Sequence, residues 1–165
     1  MINGKKVLGV TLARGGSKGI PKKNIQEING RPLIDYTIQE SLKSNFIDTY
    51  IVSTDCSEIA QVAINSGAEV PFIRPENLAD DKASSASALV HAVKWAIQAG
   101  DNYQIVVEIM ATNPLKKAIH IDECIKLMEE KNLPYCVAVQ KLYDHHPSRV
   151  KYLEEGIMKD FFPEV

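Results

Sequence analysis

Short apolar runs alternate with amphipathic stretches along most of the chain. Lys6–Ala13, Thr49–Thr54, Glu69–Ile73, Ile105–Met110 and Tyr135–Gln140 are brief and nearly continuously apolar. Such runs predict strands covered on both faces. Between them the apolar positions recur every three or four residues, as on one face of a helix. Pro32–Ser44 places Leu33, Ile34, Ile38 and Leu42 together, with Pro32 suited to opening the helix. Glu58–Asn65 follows Ser57 as a cap and stops before Gly67. Ser85–Gln98 aligns Ala86, Leu89, Val90, Val93 and Ile97, and Ile119–Lys131 aligns Ile121, Cys124, Ile125 and Met128. Strand–helix alternation of this length predicts an α/β fold, a three-layer sandwich on a mostly parallel sheet. After Gln140 the pattern changes. Arg149–Leu153, a Glu154-Glu155-Gly156 turn and Ile157–Phe162 predict a C-terminal β-hairpin arm. The expected division is an α/β domain over 1–142 and an arm over 143–165. Ile157, Met158, Phe161 and Phe162 would be exposed on that arm, packed on a partner subunit or on the edge of its own sheet.

Composition narrows the function classes. The 165 residues carry a net charge of −2, so no global basic field invites nucleic acid or an anionic membrane. A phosphate ligand would need a local cluster of positive groups. Cys56, Cys124 and Cys136 are scattered and form no CxxC pair, which fits reduced thiols in a cytoplasmic protein better than a disulfide framework. No apolar run approaches the ~20 residues that span a bilayer.

The candidate chemistry lies directly after the first strand, in LARGGSKGIPKKN (Leu12–Asn24). Ligands of open α/β sheets collect at the carboxyl ends of strands. Gly15, Gly16 and Gly19 would let backbone amides approach a polyphosphate, with Arg14, Lys18, Lys22 and Lys23 supplying charge. The spacing matches neither the Walker phosphate loop nor the GxGxxG dinucleotide fingerprint, which argues against a NAD-binding protein.

This loop, followed by NGRPLIDYTI (Asn29–Ile38), resembles the acylneuraminate cytidylyltransferase family, the CMP-sialic acid synthetases. VSTD (Val52–Asp55), GAEVPFIRPENLADD (Gly67–Asp81), TNPL (Thr112–Leu115) and DHHP (Asp144–Pro147) continue the resemblance in order over nearly the whole chain. It implies a nucleotidyltransferase-like fold and transfer of CMP from CTP to a nonulosonic acid. Other sugar nucleotidyltransferases, using UTP or a 3-deoxy-octulosonic acid, and an inactive CTP-binding module are the alternatives.

The resemblance also implies roles. Arg14, Ser17, Lys18, Lys23 and Asn24 fall on positions that hold the CTP phosphates and ribose, with Arg14, Lys18 and Lys23 assigned to catalysis. Leu12, Ala13 and Arg74 fall where cytosine is read. Ser84 and Ser85 match a serine pair near the nucleotide, and a plain helix N-cap is the other reading. Thr112 and Asn113 match a sugar-side loop. The family commonly reads Q-P-T-S-P-L-R there, and this chain has Met110 in place of the glutamine. That change favours a modified nonulosonate, such as a legionaminic-type sugar. His145 and His146 would point to opposite faces with no third ligand nearby, so neither is read as a metal ligand; His146, before Pro147, shapes the arm, and Arg149 matches a basic position that reaches the partner's sugar carboxylate. His91 and His120 are read as helix residues. The family implies Mg²⁺, held by late aspartates, and a homodimer. The chain stops at Val165, before those aspartates, so it reads as truncated at its C-terminus.

Overall fold

A computed structural model describes residues 1–17, 19–80, 82–139 and 150–161. Three parallel strands form the centre: β1 (Val7–Leu12), β4 (Thr49–Ser53) and β5 (Ile105–Glu108), in the order β4-β1-β5. Leu8 pairs with Thr49 on one side of β1, and Val7 with Ile105 on the other. Alternation along β1 then feeds two cores. Val7 and Ala13 face α1 (Leu33–Leu42), α2 (Ser57–Asn65) and α4 (Ala118–Glu130), joining Ile34, Ile38, Ile59, Ile121 and Ile125. Leu8 and Val10 face α3 (Ser85–Gln98) on the opposite side, with Ile51, Ala92 and Ala96. The three layers predicted from the sequence are therefore present.

Several elements differ from expectation. Glu69–Ile73 is not a continuous strand. It touches β4 through two isolated parallel bridges, Ile51 to Glu69 and Thr54 to Ile73. Residues 135–139 form no strand, and Gln140 lies outside the described residues. Tyr135, Val137 and Val139 are 75%, 70% and 89% exposed, so an apolar run without a pairing edge stays in solvent. Cys56, not Ser57, is the cap residue of α2, and Pro32 precedes α1 rather than opening it. The inward face of α3 is also different. Ala88, Ala92 and Ala96, one turn apart, are buried, whereas Val90 and Ile97 are half exposed. Small side chains let the helix lie close to the sheet along that line, with Leu89 and Val93 packing at its flanks as expected.

The sequence reading missed one hairpin. β2 (Glu27–Ile28) and β3 (Arg31–Pro32) pair across Asn29-Gly30, both with positive φ (51° and 73°). Asn-Gly is the favoured two-residue turn because those φ values suit it. At the other end, β6 (Lys151–Glu154) and β7 (Ile157–Asp160) form the predicted C-terminal hairpin. Its turn is Glu155-Gly156, and Glu154 belongs to the strand. Phe161 donates its amide to Val150 (2.9 Å), and its ring meets Tyr152 edge-on. Among the described residues no helix is long and apolar enough to cross a membrane.

Candidate active site

The carboxyl end of β1 runs into the glycine loop, and the loop is fixed by its neighbours. Ala13 is fully buried and donates its amide to Ser53 (3.0 Å), prolonging the β1–β4 ladder. Gly15 then passes against the start of α2, where a Cβ would lie 2.9 Å from that of Cys56. Only glycine fits this approach. Its amide donates to Asp55 Oδ1 (3.0 Å). Gly16 and Gly19 face open space, so the steric demand expected of three glycines falls on Gly15 alone. Ser17 closes a tight turn by donating to the Gly15 carbonyl (2.9 Å). Farther on, buried Asn24 donates from Nδ2 to the Arg14 carbonyl (3.1 Å), tying the loop back to its own start.

A cavity of about 360 Å³ opens beyond the ends of β1 and β5. Leu12, Arg14, Asn24 and Arg74 line one side, Ser84 and Ser85 the start of α3, and Met110 and Thr112 the exit from β5. Those eight expected residues are brought together. Ala13, Ser17, Lys23 and Asn113 are not part of the lining. Ala13 is covered by the sheet, and Lys23 sits in the 3-10 turn Lys23–Ile25. Lys22 pairs with Glu58. Lys18, Arg149, His145 and His146 lie outside the described residues. The cavity also takes Leu78, Asp80 and Glu108, which sequence reasoning missed. Glu108 had left a signal, since a carboxylate interrupts the apolar run IVVEIM where that strand ends.

Charge is concentrated here. Arg74 is 4% exposed, donates to Asp55 Oδ1 at 3.5 Å, and has a buried Nε without a partner. Burial lowers its pKa, Asp55 opposes that, and the positive charge of Arg14 adds to the lowering. A guanidinium keeps its proton even so. Arg14 reaches the Asp80 carbonyl at 3.4 Å. Two guanidinium groups therefore border one cavity alongside Asp80 and Glu108, and they are the cationic donors it can offer an anion. Ser84 caps α3 by accepting the Ser87 amide (3.1 Å), and this helix start faces the same space.

Behind the Met110–Asn113 turn, the Lys116 ammonium donates to Thr37 Oγ1, the Met110 carbonyl and the Asn113 carbonyl, each at 2.7 Å. Burial pulls its pKa down to about 8, with Glu40 acting in the opposite direction. His91 packs edge-on against Phe72, and His120 accepts the Lys117 amide at the start of α4, both serving their helices. Cys124 and Cys136, distant in sequence, come together; burial and Cys136 raise the Cys124 pKa. Among the described residues no three His, Cys, Asp or Glu side chains gather as a metal site.

Residues 8–153 match the family model described as Cytidylyltransferase. The chain belongs to that family. Pseudaminic acid cytidylyltransferase of Campylobacter jejuni is 35% identical over 159 residues, covering 96% of this chain and 68% of that protein. N-acylneuraminate cytidylyltransferase of Escherichia coli is 33% identical over 145 residues, covering 88% of this chain and 33% of that protein. Among solved structures, CMP:2-keto-3-deoxy-manno-octonic acid synthetase complexed with CTP aligns with a TM-score of 0.65 and 20% identity, over 78% of this chain and 49% of that one. That likeness establishes the shared fold. This cytidylyltransferase chain thus spans 68% of the length of the first of these relatives and 33% of the second.

Proposed function

We propose that the chain transfers CMP from CTP to a nonulosonic acid, releasing pyrophosphate. One observation carries the reading: buried Arg74, its Nε unpartnered, shares a cavity with Arg14, Asn24 and the start of α3 at the carboxyl ends of the strands. A nucleotide satisfies that geometry. Its cytosine would meet Leu12 and Arg74, and its ribose and phosphates would meet Asn24, Arg14, Lys18 and Lys23. The acceptor sugar enters beside Met110, Thr112 and Asn113. Its anomeric hydroxyl oxygen attacks the α-phosphorus in line, the new O–P bond forms as the bond to the β-phosphate breaks, and the hydroxyl proton is released. Positioning and charge neutralisation supply most of the acceleration in such transfers. Mg²⁺ belongs to the proposal as an ion bound largely by the triphosphate, since magnesium commonly takes one or two carboxylates plus substrate phosphates. The exposed thioether of Met110 favours a modified nonulosonate, the names of the relatives support the class, and the cytoplasm is the proposed compartment.

Thermal shift tests the nucleotide. A ligand bound only by the folded state at about 100 times its Kd stabilises it by roughly 2.7 kcal/mol. CTP should raise Tm at concentrations where UTP and GTP do little. Equal shifts from all three would mean that only phosphate is read. Pyrophosphate release with CTP plus pseudaminic, N-acetylneuraminic or legionaminic acid then tests transfer.

A further inference from the structure

The turn that follows β5 is weakly held by its own backbone. Its internal hydrogen bond, from the Asn113 amide to the Met110 carbonyl, is long at 3.4 Å, and Thr112 and Asn113 are exposed. Its shape comes from outside. Thr37, fully buried in α1, sets its hydroxyl 3.4 Å from the Met110 carbonyl and 3.5 Å from that of Ala111. Lys116 closes the arrangement, using three N–H donors on three oxygens: Thr37 Oγ1 and the carbonyls of Met110 and Asn113. An ammonium has three donors, so it is saturated and has none left for substrate. Glu40, also on α1, holds the far end of the segment by accepting the Ala118 amide (2.9 Å). Met110, Ala111 and Thr112 meanwhile line the cavity. The nucleotide end is anchored separately, through Asp55, Asn24 and Arg74.

We infer that Lys116 is a positioning residue for the acceptor end of the cavity, clamping the 110–113 turn to α1 so that the sugar meets a preformed wall. The acceptor part of this inference rests on the proposed transfer reaction. The clamp itself does not.

Two measurements separate them. Hydrogen exchange of the Asn113 amide, which donates to the clamped Met110 carbonyl, is followed in the ligand-free full chain for wild type, Lys116→Met and Lys116→Arg. Methionine keeps the apolar stem and removes every donor. Arginine restores a charged donor set and stands at this position in the motif Q-P-T-S-P-L-R. Exchange should accelerate at least about tenfold in Lys116→Met, the equivalent of one charge-assisted hydrogen bond, and return toward wild type in Lys116→Arg. Steady-state kinetics with CTP and N-acetylneuraminic, pseudaminic or legionaminic acid, whichever turns over fastest, should show acceptor KM rising about tenfold in Lys116→Met. The KM for CTP should move less than about twofold, with Arg rescuing the acceptor KM. Unchanged exchange in a folded Lys116→Met protein overturns the clamp. Equal rises in both KM values overturn its assignment to the acceptor. A wild-type protein that turns over no nonulosonic acid counts against the transfer reaction, and the exchange result still decides the clamp.

Discussion

Arg74 is placed against its own stability. Its charge is removed from water, one guanidinium nitrogen has no partner, and Asp55 compensates only at 3.5 Å. Asp55 keeps the Gly15 amide if the arginine is removed. Arg74→Met should therefore lower Tm only modestly, because it leaves Asp55 without its cation, yet that carboxylate is 21% exposed and still accepts the Gly15 amide. The same variant should lose most of its CTP-induced thermal shift. A full shift in Arg74→Met would exclude the residue from nucleotide binding. Lys18 was legible only through its motif. Lys18→Ala should cost on the order of 2–4 kcal/mol of transition-state stabilisation with the fold intact, and near-normal kcat/KM for CTP would remove it from the mechanism. Lys116 has a pH signature. Its folded pKa of about 8 lies below the ordinary 10.5, so between those values the unfolded chain binds more protons and stability rises with pH. Subtracting the pH profile of Lys116→Met, measured by urea unfolding, should isolate that rise; identical profiles would mean the lysine is not desolvated. The sequence named Arg14, Asn24 and Arg74 but passed over Lys116, because a lysine in a loop reads as solvated until Thr37 and two carbonyls surround it.

At the scale of elements, the extents of the helices were legible, as were the inward faces of α1 and α4, where Leu33, Ile34, Ile38, Ile121 and Ile125 are buried; α3 was the exception. Ser84 marked the start of α3 because a serine oxygen can accept an orphan amide, and it does so from Ser87. On α3 the inward face was right for Leu89 and Val93 but not for Val90 and Ile97, because valine and isoleucine outweigh alanine in any apolar count. The spacing of the sheet selects by volume instead, putting Ala88, Ala92 and Ala96 inside. Ala92→Leu should accordingly overpack the layer against Leu8 and Val10 and cost about 1–3 kcal/mol, whereas Ile97→Ala should stay within about 0.5 kcal/mol. Chemical unfolding of the two variants reads the difference, and equal losses would restore the face expected from periodicity. Residues 135–139 failed for a related reason. Apolar composition states a wish for burial, but only a neighbouring edge grants it. The Asn29-Gly30 hairpin had the opposite fault, with clear turn chemistry between strands too short for any periodicity to register.

For the whole molecule, the order of motifs conveyed the architecture because each lies where a strand ends, and parallel strands send those ends to one side. VSTD closes β4, the glycine loop closes β1, and the run before TNPL is β5. Leu153 and Met158 face each other across β6 and β7 and are 72% and 68% exposed, an apolar pair with no cover from the described chain. We propose that the Tyr143–Phe162 arm packs on a second copy, forming a twofold dimer through which Arg149 reaches the partner's acceptor sugar. The resemblance implies that arrangement, and twofold symmetry lets one arm bury two such tips. Because both side chains project into solvent, Leu153→Asp with Met158→Asp should leave the fold of each subunit alone. The double variant should be a soluble monomer with little turnover, while its CTP-induced thermal shift persists. Light scattering on the full-length protein at micromolar concentration gives the mass, and pyrophosphate release gives the activity. A wild-type monomer with full turnover would end the shared-site proposal, as would a double variant that stays dimeric and active.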